Sequence, residues 1–146
     1  MRSFILFSLL WAAVFSVTTS CSDKPSEEVR KYQELYREVI AVHDEVMPKM
    51  GELNALSRTL KQEQDSISAT HTGILDSLKL SHTTMMEWMK DFSEKFPYGK
   101  SDPLQKTPEE LHRDIELLQA ELGEVNRMKD LIEESMTKAK KAISGK

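Results

Sequence analysis

Thr107-Pro108-Glu109-Glu110-Leu111 opens the stretch that decides the fold, which continues as HRDIELLQAELGEVNRMKDLIEESMTKAKKAI to residue 143. Leu111, Ile115, Leu118, Leu122, Val125, Met128, Ile132, Met136, Ala139 and Ile143 recur at the three- and four-residue steps of one helical face. The start is equally legible. Thr107 is an N-cap residue, Pro108 fits the first helical position, and Glu110 at the third completes a capping box beside the positive end of the helix dipole. Lys138, Lys140 and Lys141 complement the other end.

Two earlier segments carry the same periodicity, and no segment shows the strict alternation of a strand. Residues 26–64 place Val29, Tyr32, Tyr36, Val39, His43, Val46, Met50, Leu53 and Leu60 on one stripe. Pro48 lacks a backbone donor and clashes with the preceding turn, so a kink or break is predicted near residues 44–47, loosened further by Gly51. Residues 70–96 align Ile74, Leu75, Leu78, His82, Met85, Met86, Met89, Phe92 and Phe96. Asp65-Ser66-Ile67-Ser68 reads as the first connection and residues 96–106, with Pro97 and Gly99, as the second. Three inward stripes joined this way predict an all-α fold, an up-down-up antiparallel three-helix bundle over residues 26–146. The charged residues off the stripes, among them Glu27, Lys49, Glu116 and Lys129, read as a solvated surface.

The chain begins differently. Met1-Arg2-Ser3 precedes a mostly apolar run over residues 4–17 and then Thr18-Thr19-Ser20-Cys21. A positive start, a short apolar segment and small residues make a secretory signal over residues 1–20. The single cysteine directly after it resembles the lipidated cysteine of a bacterial lipoprotein, with Ser20 at −1, although Thr18 and Thr19 depart from the commonest lipobox. Fourteen residues fall short of the roughly 20 that a spanning helix needs. A secreted chain with a free thiol invites oxidation, and a cytosolic one has nothing built to cover Phe4-Ile5-Leu6-Phe7. Acyl chains such as palmitate on Cys21 would hold the protein on a membrane, with residues 21–25 as the tether. The resulting address is the bacterial cell envelope, on an outer-membrane surface facing the periplasm or the exterior.

Removing residues 1–20 takes away Arg2 and no acid, leaving 19 basic and 24 acidic residues in 126 and a net charge of −5. A mildly acidic chain has no basic stripe with which to displace counterions from nucleic acid, and its size suits one domain. Catalytic patterns fail on inspection. Gly99-Lys100-Ser101 has Glu94 where a P-loop needs glycine, His43-Asp44-Glu45 leads to Met47 where a zinc protease needs histidine, and no Gly-x-Ser-x-Gly elbow occurs. The expectation is a non-enzymatic interaction or structural role, with the membrane and an envelope protein as partners.

One cluster keeps a second reading open. His43, Met47 and Met50 share a face of the first segment, and His82, Met85, Met86 and Met89 share one on the second. Pairing about a turn near residue 67 sets Met50 opposite Met85 and Met47 near Trp88 and Met89. Thioether and imidazole together suit copper, Cu(I) above all. The same residues equally suit core packing, since methionine fills gaps against aromatics such as Trp88 and Phe92.

The string Val39-Ile40-Ala41-Val42-His43-Asp44-Glu45-Val46-Met47-Pro48-Lys49-Met50-Gly51-Glu52-Leu53, with Ser81-His82-Thr83-Thr84-Met85-Met86-Glu87-Trp88-Met89, resembles a family of small helical lipoproteins from Bacteroidota-type bacteria, often labelled viral A-type inclusion protein repeat. The resemblance implies a signal peptide, a lipidated cysteine and a helical body, and supplies no catalytic residues. Ser22-Asp23 and Glu27-Glu28 are similar to the acidic export signals of surface lipoproteins in that group.

Overall fold

The computed structural model describes residues 24–62 and 69–145. The leader, Cys21 and the first connection expected at residues 65–68 lie outside the described residues. Within them the chain is a helical bundle with no strand: α1 Glu27–Val46, α2 Lys49–Gln62, α3 Ala69–Lys95, a 3-10 turn Pro103–Gln105, and α4 Pro108–Ser144.

Each start has a local cause. Ser26 caps α1 by accepting from the Val29 amide at 3.2 Å, with Glu27 and Glu28 in the first turn. The capping box of α4 forms as the sequence predicts: Thr107 Oγ1 accepts from the Glu110 amide at 3.2 Å, and Glu110 Oε2 accepts from the Thr107 amide at 2.9 Å. That second contact holds the Glu110 carboxyl below the usual carboxylate range.

The predicted defect at Pro48 is a full break. The Met47 amide still donates to His43 at 2.8 Å, and the Met50 amide then donates to Met47 at 3.2 Å, so one tight turn separates α1 from α2. Opposite it lies a ladder of alternating charge. Lys129 of α4 meets Glu45 at 2.6 Å, Lys49 meets Glu133 at 2.5 Å and Glu45 at 3.5 Å, and Lys140 meets Glu52 at 2.8 Å. Lys49 and Lys129 are therefore not the freely solvated cations expected from their place off the stripes; both are half-buried against the break. Their partners remain well exposed, so solvent screens each pair and the ladder adds little to stability. The hydrogen bond from Lys129 holds Glu45 below the usual carboxylate range.

Helix α4, about 55 Å long over its 37 residues, is the spine against which α1, α2 and α3 pack. Its buried positions keep a strict seven-residue pattern: Leu111, Leu118, Val125, Ile132 and Ala139 alternate with Asp114, Glu121, Met128 and Ser135. From the other helices Val39, Val46, Leu53, Leu78 and Met85 complete the interior, each stabilising the fold by about 1.5–3 kcal/mol through burial. Ser81 of α3 and Ser135 of α4 meet at 2.9 Å where the helices come close, and both hydroxyls also reach helix carbonyls, so neither buried polar group is left unsatisfied.

Candidate functional site

Six rings run along the inner faces of α1 and α3. His43 stacks on Trp88 (5.6 Å between centroids, 26°) and Trp88 on Phe92 (5.0 Å, 23°). Tyr36 meets Phe92 and Phe96, and Tyr32 stacks on Tyr36 at 6.1 Å. Helical spacing produces this row. Trp88, Phe92 and Phe96 follow at four-residue steps on α3, as do Tyr32 and Tyr36 on α1.

The row fixes the register between α1 and α3: the ring that stacks on Trp88 is His43, one helical turn before Met47, within the few residues' latitude that a turn near residue 67 leaves. The methionines divide accordingly. Met50 and Met85 are buried in the core, and Met89 packs half-buried against it. Met47, at the α1–α2 break, is 42 % exposed and Met86 is 50 % exposed, so Met86 does not turn inward as its stripe predicts, and neither joins the interior cluster expected of the two segments. His82 lines a groove of about 530 Å³ between α2 and α3, with Leu53, Asn54, Lys61 and Asp76.

His43 has the chemistry of a ligand more than its neighbours do. Its Nδ1 donates to Asp44 Oδ1 at 3.0 Å, which leaves the lone pair on Nε2. That nitrogen is buried without a hydrogen-bond partner among the described residues, as is Trp88 Nε1. A carboxylate-held imidazole presenting a sheltered lone pair has the chemistry of a soft-cation ligand. Among the described residues no three His, Cys, Asp or Glu side chains group as a metal site, so any such ion would depend on thioethers.

The buried acids of α4 are the residues that the stripe reading missed. Asp114 pairs with Lys106 at 2.7 Å, and Glu121, only 2 % exposed, pairs with Lys95 at 2.5 Å. Glu121 Oε2 has no further partner among the described residues. The bond to Glu121 lifts the Lys95 ammonium above its usual lysine value. A signal existed: each polar residue sits three after one buried apolar position and four before the next, where the pattern demands an inward side chain.

The α3–α4 connection packs beside the first turns of α1. Tyr32 donates its hydroxyl to the Ser101 carbonyl at 3.0 Å. Burial, with Asp114 nearby, pushes the phenol up to about 12. Tyr36, Arg37 and Pro103 line a shallow pocket of about 340 Å³ there. Among the described residues no helix is long and apolar enough to cross a membrane. No protein-family profile, curated protein or solved structure matches this chain.

Proposed function

We propose that this chain is a lipid-anchored helical protein of the bacterial cell envelope, held on the outer membrane through Cys21, with a non-enzymatic structural or interaction role. The observation that carries the reading is the position of α1, whose capped first turn begins at Glu27, six residues after the cysteine, so that an acyl anchor would be joined almost directly to the bundle. In this reading the helices run up-down-up, with α1 and α2 as one broken arm. Ion pairs whose numbers rise together link that arm to α4 (Glu45–Lys129, Lys49–Glu133, Glu52–Lys140). Pairs whose numbers run oppositely link α3 to α1 and α4 (Tyr36–Phe92, His43–Trp88, Ser81–Ser135, Lys95–Glu121). The buried carboxylates support a structural role, since each is neutralised by one lysine rather than set in an open cleft. Metabolic labelling with an alkynyl palmitate tests the anchor. The parent is expected to take up label and pellet with membranes, and Cys21→Ser to lose the label. A Cys21→Ser chain labelled like the parent would defeat the reading.

A second reading, Cu(I) binding, draws on the sheltered Nε2 of His43. Anaerobic titration against a competing chelator is then expected to show one ion bound by residues 22–146, which carry no thiol. Binding should be lost in His43→Ala and in Met50→Leu/Met85→Leu; the Met→Leu changes keep core volume nearly constant, and far-UV circular dichroism checks that each variant stays helical. Absence of binding in the parent would assign those side chains to packing alone.

A further inference from the structure

The connection between α3 and α4 exposes apolar side chains where a compact bundle would be expected to withdraw them. Pro97-Tyr98-Gly99-Lys100 is a tight turn closed by the Lys100 amide on the Pro97 carbonyl at 3.1 Å, and Gly99 takes the positive φ of 76° that its third position requires. This geometry lifts Tyr98 clear of the protein, and its side chain is fully exposed. Four residues on, Asp102 caps the 3-10 turn by accepting from the Leu104 amide at 3.0 Å, and Leu104 is left 70 % exposed. Two rigid local motifs thus hold two large side chains in water.

The same connection is tied to the first turns of α1 by the Tyr32–Ser101 hydrogen bond. The chain arriving at Ser26 comes from Cys21, five residues away, a reach of at most about 18 Å. The opposite end of α4 is far off: Lys141 lies 33 residues beyond Pro108, roughly 50 Å along the helix. We infer that residues 97–104 form a second membrane contact, in which Tyr98 and Leu104 settle into the headgroup layer of the bilayer that holds the lipidated Cys21. The inference rests on the lipid-anchor reading above. Tyrosine suits that layer because its ring is apolar and its hydroxyl stays wet. Charge plays little part, since Lys24 and Lys100 at this end are offset by Asp102, Glu109 and Glu110. A bundle hung only by its tether could tumble; this contact would stand it on end, with the α2–α3 side directed outward.

The test uses the full chain, processed and acylated in a bacterial host, with one thiol introduced at a time as Tyr98→Cys, Leu104→Cys or Lys141→Cys and labelled with an environment-sensitive fluorophore. Each is reconstituted in phosphatidylethanolamine–phosphatidylglycerol vesicles with or without brominated acyl chains and separated by flotation. The expected result is that all three variants float, that positions 98 and 104 lose intensity to bromine, and that position 141 does not. Floating protein with position 98 unquenched would overturn the contact while leaving the anchor intact. Quenching at all three positions would overturn the end-on arrangement. Protein that stays at the bottom of the gradient would defeat the anchor reading, and the contact with it.

Discussion

Replacing Lys95 by Met is expected to destabilise the protein by about 3 kcal/mol at neutral pH, because it strands a carboxylate inside the bundle. Glu121 is 2 % exposed, and its Oε1 lies 2.5 Å from Lys95 Nζ. Removing one partner of a buried pair costs about 3–5 kcal/mol, most of it the penalty of the charge left behind. The lower figure applies because the lysine side chain is 39 % exposed and water already screens that end. The raised Lys95 pKa makes its contribution complete below the ordinary lysine value, and that contribution is lost only as pH rises through the folded-state value. The double change Lys95→Met/Glu121→Leu should recover most of the loss, since an apolar pair of similar volume tolerates the site as well as the ions do. Urea unfolding followed by far-UV circular dichroism at pH 7 measures the single and the double variant against the parent. A single variant as stable as the parent would show that Glu121 finds water in the folded state.

Phe92→Ala is expected to cost about 4 kcal/mol, within the range for emptying a buried aromatic site. Phe92 is the junction of the ring row: it stacks on Trp88 at 5.0 Å and meets Tyr36 at 5.7 Å and Phe96 at 5.0 Å. Its removal opens a cavity that rigid helices close only in part. Phe92→Leu keeps much of the apolar volume and loses the ring contacts, each worth about 0.5–1.5 kcal/mol, so its loss should be clearly smaller. In a chain beginning at Cys21, Trp88 is the one indole, since the other tryptophan is Trp11. Its emission therefore reports the same site, and a red shift should accompany the loss of stability. An alanine variant within 1 kcal/mol of the parent would contradict the packing described.

Much of the helical architecture was legible because local rules and the tertiary arrangement agree. The capping box at Thr107, the break at Pro48 and the stripe from Leu111 to Ala139 are all decided within a few residues of one another. Less of the candidate site was legible, and for a definite reason. A stripe drawn through apolar residues passes over Asp114, Glu121 and Ser135, although their spacing puts them on the same face. Whether such a residue turns inward depends on a partner outside its own helix: Lys106 in the preceding connection for Asp114, and Lys95 and Ser81 of α3 for Glu121 and Ser135. Met86 fails in the opposite sense, an apolar residue at an allowed spacing that no neighbouring helix covers.

By itself the sequence determined where the helices begin and break and which broad face of each is apolar, since capping, proline geometry and 3.6-residue periodicity act through the chain's own backbone. Only the tertiary structure decided the register between α1 and α3, which set His43 rather than Met47 on Trp88 and left Met47 and Met86 half in water. A helix face offers several registers one turn apart, each burying similar apolar area. The choice falls to contacts that cannot shift by a turn: between α1 and α3 the row of rings, whose cross-helix members lie 45 to 60 residues apart along the chain, and between α3 and α4 the Ser81–Ser135 and Lys95–Glu121 contacts.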